Sequence, residues 1–133
     1  MATILIIEDE FLIAAEMEAV VEDLGHESAG IADTLETAME KASSRIDVAL
    51  VDINLADGAT GPVIGERLAT EFAIEVVFVT ANPRQLGGGV HGTLGALEKP
   101  VDLAMLKEVL DYVIAVRRGD DVEPPKRLRL FDD

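Results

Sequence analysis

The sequence predicts an α/β domain, a mostly parallel sheet with helices on both faces. Three observations carry that expectation. Short β-branched apolar runs recur at residues 4–7, 47–51 and 76–79, with weaker ones at 28–32 and 93–97. Stretches with apolar residues at helical spacing lie between them, so strand and helix alternate along the chain. Polar groups stand just past four of the runs, as Glu8-Asp9-Glu10, Asp52, Thr80 and Lys99-Pro100.

The first strand, Ile4 to Ile7, runs directly into the acidic triplet. A helix follows over Phe11 to Leu24, with Leu12, Ala15, Ala19 and Val20 at helical spacing and Gly25 as its stop signal. Ser28 to Ala32 is the second strand, and Asp33 or Thr34 caps a second helix that reaches Ser43. The third strand, Asp47 to Val51, is closed by Asp52 and then by a turn-rich stretch, Ala56 to Gly61. Pro62 opens the third helix, which ends at Phe72, because a missing N–H costs nothing in a first turn.

The fourth strand, Val76 to Val79, leads to Thr80. Residues Ala81 to Gly92 break the alternation, for they carry Pro83 and Gly87-Gly88-Gly89 where a fourth helix is due. Each glycine disfavours helix by about 1 kcal/mol relative to alanine, so this connection is expected to be mobile or only briefly helical. Thr93 to Leu97 forms the fifth strand, and Leu103 to Val116 the last helix, through Leu106, Val109, Leu110 and Val113. The composition then changes, which divides the chain into a domain at 1–118 and an extended C-terminal tail at 119–133. Arg127 and Arg129 alternate with Leu128, Leu130 and Phe131. That period of two suits an edge strand, a contact with a partner or a disordered end, and disorder is the default for a terminus.

Composition narrows the function. The 133 residues are 49% hydrophobic, enough for one real core. With 26 acidic against 11 basic residues the net charge is −15, which opposes direct binding to nucleic acid or anionic lipid. The absence of cysteine removes disulfides and thiolate metal sites. The start lacks the basic region of a signal peptide, and no apolar stretch approaches the roughly 20 residues of a membrane span. A cytoplasmic protein is therefore expected.

A carboxylate at the end of a buried strand is costly unless its charge is used. Ligands of open parallel sheets bind outside the carboxyl ends of the strands, where all four polar groups fall. Two carboxylates about 4 Å apart repel by roughly 4 kcal/mol at an effective dielectric near 20, so Glu8, Asp9 and Asp52 call for a cation. A hard divalent ion such as Mg²⁺ suits oxygen ligands and can accept a phosphoryl oxygen, and Lys99 adds a second, flexible positive charge. A carboxylate nucleophile, a magnesium site, a lysine and a threonine hydroxyl are the parts needed to move a phosphoryl group onto Asp52.

In these residues the chain resembles the receiver domain of two-component response regulators, over residues 3 to about 117. The resemblance implies a flavodoxin-like (βα)5 three-layer sandwich with sheet order 2-1-3-4-5. It makes Asp52 the phosphoacceptor, supplied by a histidine kinase or histidine phosphotransfer protein. Asp9 would bind Mg²⁺, with Glu8 beside it and the backbone carbonyl of Asn54 completing the protein ligands; Thr80 and Lys99 would contact the phosphoryl oxygens. The family's fourth and fifth helices with its fifth strand are candidate surfaces for a target protein or a homodimer. The length leaves no room for a DNA-binding module, so a stand-alone receiver is expected, a regulatory phosphoacceptor and not an enzyme that turns over an external substrate.

Three positions depart from the family's pattern. Ala96 stands three residues before Lys99 where an aromatic ring that swings inward is frequent; Val101 replaces a common phenylalanine and Ala56 a common proline. Without the ring, the switch is expected to run from Thr80 into residues 81–92 as an order–disorder change. Asn54 and Asn82 border the path of the hydrolytic water, and carboxamides can orient water, so a short phosphoryl lifetime is expected. The stretch Val77 to Pro83 also looks like receivers of alphaproteobacterial general-stress regulators.

Rival readings make different demands. A haloacid-dehalogenase-type phosphatase needs a second Asp where Asn54 stands, and a cobalamin module wants Asp-x-His-x-x-Gly where the chain reads Asp52-Ile53-Asn54-Leu55-Ala56-Asp57. A receiver-like module that binds partners without phosphorylation is the third alternative. His26 and His91 have no partner at ligand spacing and are given no role. The triple glycine lacks the Gly-Lys-Ser/Thr ending of a phosphate cradle.

Overall fold

In the computed structural model, residues 1–131 are described. Asp132 and Asp133, the last two residues of the expected tail, lie outside the described residues. Strands β1 (Thr3–Ile7), β2 (Glu27–Ala32), β3 (Val48–Val51), β4 (Glu75–Thr80) and β5 (Gly95–Glu98) alternate with helices α1 (Phe11–Asp23), α2 (Leu35–Lys41), α3 (Gly61–Phe72) and α4 (Leu103–Arg117). A short strand, β6 (Arg129–Leu130), completes a sheet of order β2-β1-β3-β4-β5-β6. The first five strands are parallel, in the predicted order 2-1-3-4-5, and β6 joins β5 antiparallel.

Two apolar layers hold the sheet, and each follows from the alternation of side chains along a strand. Leu5, Ile7, Ala49, Val51 and Phe78 point to one face, where Ala38 of α2 and Ile64 and Leu68 of α3 cover them. Ile4, Ile6, Leu50, Val77 and Val79 point to the other, beneath Ala14 and Val21 of α1 and Leu106, Leu110 and Val113 of α4. The central strands are thus buried on both sides, which is why they read as unbroken apolar runs. Helix α2 begins with Thr34 as its cap, its hydroxyl accepting from the Thr37 N–H at 3.1 Å while the Thr37 hydroxyl accepts from the Thr34 N–H. At α1 the Glu10 side chain makes no such cap.

Where the fourth helix is due, the chain makes only a single 3-10 turn, Pro83–Leu86, before the glycines. The turn is anchored by Leu86, which is buried in the α3-side layer.

Residues 128–131 of the tail do not take the disordered default. Its period of two becomes the pattern of an edge strand: Leu128 is buried in the α1–α4 layer, while Phe131 packs on the opposite layer with its ring 6.3 Å from that of Phe78. Phe78 is the cross-strand partner of Ala96, and Phe131 packs on the apolar layer to which both belong, so rings gather on the face of this small residue. Gly95 permits the close pairing, because a Cβ there would collide with the Arg129 carbonyl.

Candidate functional site

β1 and β3 lie side by side, with Ile7 paired to Val51, so the residues that follow them emerge together at the carboxyl edge. The Asp52 N–H donates to the Ile7 carbonyl at 2.9 Å, and the Glu8 N–H to the Ala32 carbonyl at 2.9 Å, which fixes both backbones as the ladder ends. α3 closes in behind: a Cβ on Gly61 would strike the Asp52 carbonyl and the Ile53 backbone, so only glycine lets the helix start this close to the strand-end backbone.

Glu8, Asp9 and Asp52 each bring a carboxylate oxygen within 4.8 Å of the others. Lys99 reaches them from the end of β5. Its ammonium donates to Glu8 Oε1 at 2.6 Å and to Asp52 Oδ2 at 3.0 Å. The other Asp52 oxygen, Oδ1, accepts from the Ile53 N–H at 2.7 Å, and Glu8 Oε2 accepts from the Glu10 N–H at 3.2 Å. The Lys99–Pro100 peptide is cis.

Burial sorts the three acids. The Glu8 side chain is 1% exposed and that of Asp52 12%, while Asp9 is open to solvent. Burial pushes the Glu8 carboxyl up to about 7; the Lys99 hydrogen bond opposes that rise and the Asp52 charge adds to it. For Lys99, burial works against the charge, but hydrogen bonds and attraction from Glu8 and Asp52 outweigh it and hold the pKa above the ordinary lysine value.

Thr80 ends β4 and is buried, with its Oγ1 accepting from the Asn82 N–H at 3.1 Å. Its carbonyl accepts from the Lys99 N–H at 2.9 Å, which ties the threonine's backbone to the lysine's. The sequence does not disclose one neighbour. Gln85, on the 3-10 turn, accepts from Asn54 Nδ2 at 3.1 Å across 31 residues of chain. No spacing signal links the two; only the shortness of the Pro- and Gly-rich connection hinted that it would stay near the site. His26 is a structural tie, its Nδ1 accepting from the Ala2 N–H at 3.1 Å.

Fold and edge together define a carboxylate site at the switch point of a doubly wound sheet. The chain matches the family of the response regulator receiver domain over residues 4–111. It belongs to that family, and so to the receiver domains of two-component signalling. The phyllosphere-induced regulator PhyR of Methylorubrum extorquens is 48% identical over 118 residues, which are 86% of this chain and 44% of that protein. The sensory transduction protein RegX3 of Mycolicibacterium smegmatis is 28% identical over 91% of this chain and 53% of its own length. The chain thus spans about half the length of the curated relatives it matches. Among solved structures, the receiver domain of Erythrobacter litoralis PhyR is similar at 33% identity and a TM-score of 0.74, covering 93% of this chain and 95% of that one. PhyR from Brucella abortus has 32% identity and a TM-score of 0.79, over 89% of this chain and 49% of that one. The phosphatase alternative finds no support among these relatives. No helix among the described residues is long and apolar enough to cross a membrane.

Proposed function

We propose that Asp52 accepts a phosphoryl group from a phosphorylated histidine of a kinase or phosphotransfer protein, and that the chain signals through a protein surface altered by this modification. The observation that carries the reading is the placement of Lys99, whose ammonium bridges Glu8 and Asp52 at the edge of three clustered carboxylates. The receiver unit is residues 1–118, and 119–133 is an appended segment.

The donor set fits a magnesium ion, being all oxygen and acidic. Glu8, Asp9, the Asp52 side chain and the Asn54 carbonyl would hold it, and when bound it neutralises charge on the transferring phosphoryl oxygens. The rest falls to the chain itself. The Ile53 N–H holds Oδ1 and leaves Oδ2 on the Lys99 side as the attacking atom. A bond forms from Oδ2 to phosphorus as the bond from phosphorus to the donor's imidazole nitrogen breaks, leaving an aspartyl phosphate and a free imidazole. Lys99 exchanges its carboxylate contact for a phosphoryl oxygen, and the Thr80 hydroxyl, whose oxygen accepts from the Asn82 N–H, turns its O–H to donate to another. That movement reaches the 81–92 connection first, because the Asn82 N–H within it is bonded to the Thr80 hydroxyl.

An apolar groove between α1 and α4, lined by Met17, Val20, Val101 and Leu106, opens beside Lys99. Phe11 and Leu12, at the start of α1, are exposed large apolar side chains close in sequence to Asp9. This surface suits the approach of a donor protein to the carboxylate edge. Incubation with acetyl phosphate and Mg²⁺ tests the reading: one phosphoryl group is expected by intact mass, and none when a chelator replaces the metal. A protein that stays unmodified in both arms would instead support the module that binds without phosphorylation.

A further inference from the structure

β6 is only two residues long, too short to hold itself on a sheet edge by backbone pairing. Its seat comes from the side chains around it. Leu128 and Phe131 enter opposite layers of the domain, so the segment grips the edge of β5 from both sides. The Phe131 N–H donates to the Leu94 carbonyl at 3.0 Å. The same segment also holds the glycine-rich connection. Arg129 Nη2 donates to the Gly87 carbonyl at 2.8 Å, and the Phe131 ring lies so close to Gly89 that a Cβ there would come within 2.7 Å of it. The outer glycines of the triplet suit this fold, since Gly87 turns at positive φ to present its carbonyl and Gly89 makes room for the ring.

Two residues before Gly87 stands Gln85, which accepts from the Asn54 side chain. The turn that carries Gln85 begins at Asn82, whose N–H donates to the Thr80 hydroxyl. A chain of direct contacts thus runs from Phe131 and Arg129 through residues 82–89 to two side chains at the carboxylate edge.

We propose that the C-terminal strand is a positioning element for the site: seated on β5, it holds the 83–89 connection so that Gln85 fixes the carboxamide of Asn54, two residues past Asp52. Gln85 is the positioning residue, and the tail acts through it. The rate consequence rests on the reading of Asp52 as phosphoacceptor, whereas the structural consequence does not. Unseating the tail frees Asn54 to rotate, and a carboxamide free to rotate orients the hydrolytic water less well.

The experiment compares the full chain with a chain ended after Arg127, with Gly95→Ala, which crowds the Arg129 carbonyl and substitutes no site residue, and with Gln85→Ala. Amide exchange of residues 84–89 in the unmodified protein is expected to rise about tenfold on truncation and in Gly95→Ala, as a locally opened segment would. The Asn54 side-chain amide resonances should shift in all three variants. After loading with acetyl phosphate, dephosphorylation should slow about threefold in each, and truncation combined with Gln85→Ala should slow it no further, as expected of groups that act through one contact. Unchanged exchange at 84–89, or additive rate effects, would overturn the proposal. If the full chain takes up no phosphoryl group, the reading of Asp52 fails, and the Asn54 resonances still decide this inference: unmoved by truncation, they refute it.

Discussion

The Lys99 ammonium lies closer to Glu8, at 2.6 Å, than to Asp52, at 3.0 Å. The lysine is therefore shared, and its stronger contact is with the acid that is more deeply buried. On the proposed reading, a phosphoryl group arriving on Asp52 would compete for a cation already in place, held beside the Asp52 carboxylate by Glu8.

Glu8 makes stability depend on pH. Its folded-state value of about 7 lies above the ordinary 4.5, so the folded protein binds more protons than the unfolded chain between these values. Its contribution is fully present below about 4.5 and is lost as the pH rises to about 7. Glu8→Gln removes this titration. The stability of the variant relative to the parent, measured by urea unfolding across that window, should increase with pH, and a flat difference would show that Glu8 is not held protonated.

Replacing the lysine tests the other partner. Lys99→Met leaves Glu8 and Asp52 facing each other without their cation, and breaking a buried pair in this way costs about 3 kcal/mol. Denaturant midpoints should fall in the absence of Mg²⁺ and recover in part when it is added. A variant as stable as the parent, indifferent to the metal, would mean that the carboxylates do not share the lysine's charge.

Gly61 sets the distance between α3 and the strand-end backbone. Gly61→Ala forces its Cβ against the Asp52 carbonyl and the Ile53 backbone. A destabilisation of about 1–3 kcal/mol is expected, as for other overpacked positions, accompanied by slower phosphorylation because the acceptor backbone must move. Thermal melts and acetyl phosphate kinetics on the same sample would check both effects.

Asn54 is expected to shorten the life of the phosphorylated form. Asn54→Met replaces the carboxamide proposed to orient water with an apolar chain, so dephosphorylation should slow by about tenfold, in keeping with the loss of one positioned group. An unchanged rate would show that water reaches the phosphorus by another path.

The strand runs, the alternation and the breaks were legible because central parallel strands must be apolar on both faces and because glycine and proline mark the ends of helices. The carboxylate edge was legible for a related reason: Asp52 and Glu8 follow uniform apolar runs, so any shared register brings them together. Gln85 was hidden, since its meeting with Asn54 depends on how a turn without periodicity lies over the sheet. The place of Gly61 was hidden too, because a glycine at the start of a helix looks the same whether or not a backbone passes close behind it. The tail showed its period of two, but two paired residues and two apolar anchors are too little signal to outweigh the prior for a disordered end.

The most direct measurement is chemical location of the phosphoryl group. After incubation with acetyl phosphate and Mg²⁺, borohydride reduction converts an aspartyl phosphate to homoserine, and peptide mass mapping reads its position. Homoserine at position 52, absent from Asp52→Asn, is the expected result; homoserine at any other carboxylate, or none at all in a folded protein, would contradict the account.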